Sequence, residues 1–150
     1  MSNVLRRNRA TSEVEFIHNA ARIRKEVTSM VMNEKVFPKK YRFVYSIPMI
    51  DLCRELVKNA NTYYNCVGED DNEAFLYKRK KEALMNMYDC CEDILAEMQD
   101  ARERLHIKMS VRERVVGLIV DEEELIQDLL ENEEESHINF MKHNKRSKLI

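Results

Sequence analysis

Glycine and proline are nearly missing: each occurs twice in 150 residues, and tryptophan does not occur at all. Average usage of the two turn formers together is roughly 12 per cent. A β-sandwich or barrel needs a reversal about every 8–12 residues, which so few turn formers cannot supply. The same scarcity leaves no Gly-rich phosphate loop and no Gly-x-Ser-x-Gly elbow. No apolar run approaches the ~18 residues that span a bilayer, so no transmembrane helix is expected. The opening Met1-Ser2-Asn3-Val4-Leu5-Arg6-Arg7-Asn8-Arg9 is basic with no apolar stretch behind it. That does not fit a secretory signal, and a cytoplasmic location is expected.

What is present is helix-forming. Charged residues make up 35% of the chain, and Glu, Lys, Arg, Leu, Met and Ala are all good helix formers. The pattern predicts an all-α, up-down-up-down four-helix bundle over residues 11–133. A flexible basic arm (1–10) precedes it, and a charged tail (134–150) or a frayed extension of the last helix follows. Helix 1 is expected from a capping box at Ser12 and Glu15, with Phe16, Ala20, Ile23, Val27, Met30 and Val31 inward. It should end before Pro38.

Helix 2 spans about 40–66, with Val44, Ile47, Leu52, Leu56, Ala60 and Tyr63 as its apolar stripe. Pro48 inside that span costs ~3 kcal/mol in an unbroken helix. Either the helix kinks there, or a short turn precedes it and Ser46 caps a restart. Gly68 reads as a C-terminal cap and 69–72 as a polar loop. Helix 3 is expected over about 71–105, with Phe75, Leu84, Tyr88, Cys91, Leu95, Met98 and Leu105 inward. A second capping box at Ser110 and Glu113 opens helix 4, whose core face is Val115, Leu118, Ile119, Leu125, Ile126 and Leu129.

The formal net charge of −2 hides an uneven distribution. Residues 1–45 carry ten Lys/Arg against four Asp/Glu, and residues 121–150 carry four against nine. Such asymmetry points to electrostatic partners, either other subunits or nucleic acid. The basic residues cluster at Arg6, Arg7 and Arg9, at Lys39, Lys40 and Arg42, at Lys78, Arg79, Lys80 and Lys81, and near the C-terminus. Lys and Arg can hold phosphates in a salt-sensitive, sequence-independent way, and Tyr41, interleaved with the second cluster, can stack on an unpaired base.

Catalytic chemistry finds less support. Glu-x-x-His, the spacing of di-metal carboxylate bundles, occurs at Glu15/His18, Glu103/His106 and Glu134/His137. All three fall at expected helix ends or in the tail, and helix 2 offers only Asp51 and Glu55 as further ligands. No metal, cofactor or catalytic residue is assigned. The cysteines Cys53, Cys66, Cys90 and Cys91 read as small core hydrophobes of a reducing compartment. Cys90 and Cys91 project about 100° apart on a helix, a poor redox pair.

The segment Phe37-Pro38-Lys39-Lys40-Tyr41-Arg42-Phe43 joins two amphipathic helices. With it, the opening and the phrase Glu15-Phe16-Ile17-His18-Asn19-Ala20 resemble a four-helix-bundle family. That family includes the accessory variability protein of diversity-generating retroelements and the proteins encoded in intervening sequences of bacterial ribosomal RNA genes. The architectural likeness covers about 11–130; only the junction and opening are motif-like. The resemblance implies a homo-oligomer, pentameric in the retroelement proteins, that binds a reverse transcriptase and RNA or cDNA without catalysis of its own. Lys39 and Arg42 match the motif's basic positions, and Phe37 and Phe43 its aromatic ones. With Pro38, the two phenylalanines are expected to pack the helix corner. The chain departs from the family at Pro48 and in its lower positive charge. A protein-only adaptor without nucleic-acid affinity is the alternative, and a ferritin-like di-metal protein a more distant one.

Overall fold

A computed structural model describes residues 2–66 and 73–148, with side chains described for 14–66 and 73–147. Four long helices account for most of it: α1 (Ser2–Met32), α2 (Ile47–Tyr64), α3 (Glu73–Arg104) and α4 (Met109–Lys148). No strand occurs among the described residues. Both α1 and α3 pack on α2 and α4, and one contiguous apolar core fills the space between them. No described helix is long and apolar enough to cross a membrane. The expected cap at Gly68 and the loop 69–72 lie outside the described residues.

The first helix begins earlier than the capping box predicts. It starts at Ser2, so Ser12 lies within the helix instead of at its start, and the stretch expected as a loose arm is part of α1. Nothing in residues 2–32 breaks a helix: there is no Gly or Pro before Pro38. The core stripe of α1 matches its sequence periodicity, with Phe16, Ala20, Ile23, Val27, Met30 and Val31 all buried. The stop comes from Asn33. Its side-chain oxygen accepts from the Lys35 N–H at 3.1 Å. Its carbonyl accepts from the N–H groups of Val36 and Phe37 at 3.0 and 2.8 Å. This local turn competes with helix and ends it.

Between α1 and α2 the chain makes a 3₁₀ turn (Lys39–Tyr41) and a π turn (Arg42–Ser46). The Ile47 N–H reaches back to the carbonyl of Arg42, five residues earlier. Pro48 therefore falls in the first turn of α2, where its missing N–H costs nothing, which realises the restart and not the kink. Ser46 does not cap α2. Its hydroxyl is buried and donates to the carbonyl of Val31 at 2.9 Å. That satisfies one of the carbonyls orphaned at the end of α1.

The π turn carries an extra residue, which rotates everything before it relative to α2. The inward stripe is Tyr45, Met49, Cys53, Leu56, Ala60 and Tyr63, at i+3 and i+4 steps from the π turn into α2, while Val44 and Ile47 face outward at 54% and 40% exposure. On α3, Phe75 is likewise exposed, and Leu84, Met87, Cys90, Cys91, Ile94 and Met98 are buried. The last helix begins one residue ahead of Ser110, the Arg112 N–H bonding to the carbonyl of Lys108 at 3.2 Å. It continues unbroken through the residues read as a tail, for 40 residues, roughly 60 Å.

Gly117 sits on the exposed face of α4, and a Cβ there would meet nothing within 4 Å. Gly117→Ala should therefore stabilise the fold by roughly 0.5–1 kcal/mol, from helix propensity alone. Urea denaturation checks this; an unchanged midpoint would mean that the α4 backbone is frayed at this point.

Candidate nucleic-acid interface

The helix corner brings Phe37, Tyr41 and Tyr45 together beside basic side chains. Phe37 is buried at 2% exposure and meets Tyr45 edge-on at 6.1 Å. The Tyr45 hydroxyl donates to the Asp100 carboxylate near the end of α3. Burial, then this hydrogen bond, pushes the Tyr45 hydroxyl up to about 12, so it stays a donor. Asp100 also pairs with Arg104 at 3.5 Å. Pro38 is half-buried beside them.

Phe43 corrects the sequence expectation. It does not pack the corner but is 82% exposed, because the π turn hands the inward position to Tyr45. Close to it in the chain stand Lys39 and Lys40, both exposed, and Arg42, half-buried. Arg42 pairs with Glu34 at 3.6 Å, and the Lys40 ammonium lies 5.2 Å from the Tyr41 ring centroid. Tyr41 itself packs against the core, so the ring offered to a partner is Phe43.

The α3 cluster is at the other end of the bundle. Some 20 residues separate Lys80 from Asp100 beside the corner, about 30 Å of helix, so the two clusters do not form one patch within a chain. Its members also differ in availability. Lys80 pairs with Glu133 at 3.5 Å and lies 5.9 Å from the Tyr63 ring centroid. Lys81 is 5.9 Å from that of Tyr77. Lys78 and Arg79 are exposed, and Arg79 lines an open groove with Arg24, Arg54 and Lys58. Sequence reading did not single out those three, because they come from two helices and form no run. Arg6, Arg7 and Arg9 lie on the α1 backbone, and their side chains are outside the described set.

Two acidic groups were also not foreseen. Glu122 is fully buried on α4, and neither oxygen has a hydrogen-bond partner. Burial, then the charge of Glu15, pushes its carboxyl up to about 8, opposed in part by the Asn19 amide. Glu123 is pushed up to about 7, first by burial and then by the neighbouring Glu92 carboxylate. Burial likewise raises the Cys53 and Cys90 thiols to about 12 and 11, and that of Cys91 further. All four cysteines are buried free thiols, and the upward shifts keep Cys53, Cys90 and Cys91 neutral and unreactive at physiological pH.

One of the Glu-x-x-His spacings is put to another use. His137 turns from Glu134 to α3, its Nδ1 3.2 Å from both carboxylate oxygens of Glu73, with its ring stacked on Tyr77 at 4.0 Å. Glu15 and His18 are both exposed, the former outside any capping box. Among the described residues no three His, Cys, Asp or Glu side chains converge on a metal position. Compared with protein families, curated proteins and solved structures, the chain matches none.

Proposed function

We propose that this chain is a non-catalytic accessory protein of a diversity-generating retroelement, a cytoplasmic, oligomeric scaffold that binds a reverse transcriptase and its template RNA or cDNA. One observation carries the reading: an 82% exposed phenylalanine, Phe43, within four residues in sequence of Lys39, Lys40 and Arg42, at the junction that resembles that family. Cations beside a bare aromatic ring suit phosphate contact with base stacking. The fold belongs to this reading as an up-down-up-down bundle. Phe16 midway along α1 meets Tyr63 at the end of α2. Tyr45 before α2 meets Asp100 late in α3, and Arg114 early in α4 pairs with Glu26 late in α1 at 2.7 Å. These pairs support antiparallel neighbours. Oligomers, pentameric in the family the junction resembles, would gather the separated basic clusters of neighbouring subunits into one surface.

Replacing Lys39, Lys40 and Arg42 with Ala should weaken RNA binding for all sequences alike. It should also flatten the salt dependence, by roughly 0.7–0.9 in slope for each phosphate no longer held. Filter binding over a salt series measures both, and unchanged affinity and slope would remove the corner from the interface. A second reading, a protein-only adaptor, is favoured by Val44 and Ile47, which extend the exposed patch of Phe43 in apolar character. It predicts no RNA retention at low salt by the wild-type chain.

A further inference from the structure

An open groove of about 780 Å³ runs across the outward face of α2, flanked by α1 and α3. Its cations come from all three helices: Arg24 from α1, Arg54 and Lys58 from α2, and Arg79 from α3. Its described lining holds no carboxylate. Arg54 pairs with Asp51 at 3.4 Å, but both groups are more than half exposed, so that pair is worth little. Arg24, Lys58 and Arg79 make no ion pair among the described residues. Cations brought onto one concave surface by the fold repel each other, and an anion relieves that repulsion.

The remaining lining narrows the anion. Arg54, Lys58 and Asn61 on α2 and Asn65 at its C-terminal cap recur at helical spacing, a stripe about 16 Å long. At ~3.4 Å per stacked nucleotide that is room for about four or five. The amides offer both donors and acceptors; a base edge can use both, whereas a bare phosphate can use only the donors. Phe75 borders the groove with its ring 61% exposed, a surface on which an unpaired base stacks. A duplex keeps its bases paired and presents a convex backbone, so it uses neither the ring nor the concavity.

We infer that this groove seats an unpaired nucleic-acid strand, with its phosphates on Arg24, Arg54, Lys58 and Arg79 and a base on Phe75. The inference rests on the nucleic-acid reading above. It adds a second site, distinct from the helix corner, that selects single strands.

Fluorescence anisotropy tests it on the full chain, using a labelled oligo-U of about ten nucleotides and a duplex of equal length. The variants are R54E/K58E, F75A and K39A/K40A/R42A, each checked for unchanged helicity by circular dichroism. Oligo-U affinity should fall at least ~10-fold in R54E/K58E, with a salt slope flatter by about 1.4. In F75A it should fall roughly 10-fold with the slope kept. Duplex binding should respond to the corner variant more than to either groove variant. Wild-type affinity for oligo-U in both groove variants would overturn the inference and leave the nucleic-acid reading standing. An F75A protein with full affinity, whose oligo-U is displaced equally well by inorganic polyphosphate, would overturn the strand assignment in favour of a plain anion groove. A wild-type chain that binds neither oligomer would overturn both readings.

Discussion

Replacing Glu122 with leucine should stabilise the protein, and by more as the pH rises. The side chain is fully buried and neither oxygen makes a hydrogen bond of good geometry. The Asn19 amide of α1 only partly offsets burial and the charge of Glu15, and the Cys91 thiol lies on the α3 side. A carboxylate there is unpaired charge in an apolar core, so the native state keeps the proton until about pH 8, against 4.5 for the free group. Because the folded chain holds a proton that the unfolded chain has released, stability falls as pH rises from 4.5 to about 8. The slope can reach about 1.4 kcal/mol per pH unit. Below that window both states are protonated, and above it both are ionised, so the slope vanishes at either side. The Glu122→Leu variant should gain a few kcal/mol, on the order of 3, at pH 8 and much less at pH 5. Part of the slope should persist, because Glu123, raised to about 7, acts with the same sign. Urea midpoints at the two pH values measure this; parallel curves for wild type and variant would mean that Glu122 is hydrated or paired.

Two phenylalanines six positions apart should behave oppositely. Phe37→Ala removes a ring buried at 2% exposure and its edge-on packing with Tyr45, and should cost about 3–5 kcal/mol. Phe43→Ala removes a ring that is 82% exposed and should change stability by no more than about 0.5 kcal/mol. If the two variants are equally destabilised, the π turn is absent and the corner packs as the sequence alone suggests. If Phe43→Ala is neutral for stability but weakens RNA binding, the ring is acting on a partner.

This contrast also shows where sequence reading reaches its limit. The core face of α1 was legible because an uninterrupted helix keeps a constant register, and six of six expected positions are buried. In α2 the same method placed Val44 and Ile47 inward and missed Tyr45, Met49 and Cys53. Val44 lies in the π turn and Ile47 directly after it, and the one signal nearby is Pro48. Met49 and Cys53 lie beyond it in regular helix, at i+4 steps from Tyr45, where neighbouring Ile47 and Leu52 drew the expected stripe one or two positions off. Ser12 and Ser110 show a second limit: both open Ser-x-x-Glu capping boxes, yet both helices begin before them, because strong helix formers precede each. Glu122 lies in a run of acids that reads as a wetted face, while its position between Ile119 and Ile126, both buried, marks it as inward. The basic runs of the candidate interface were visible as composition. The groove of Arg24, Arg54, Lys58 and Arg79 was not, since only the packing of three helices brings those residues together.

Size-exclusion chromatography with light scattering, with and without a structured RNA, would be the first experiment to perform on the purified chain. The retroelement reading predicts a ring-sized oligomer that carries the RNA at low salt and releases it as salt rises. A monomer that elutes apart from RNA at every salt concentration would contradict that reading and leave a protein-only adaptor.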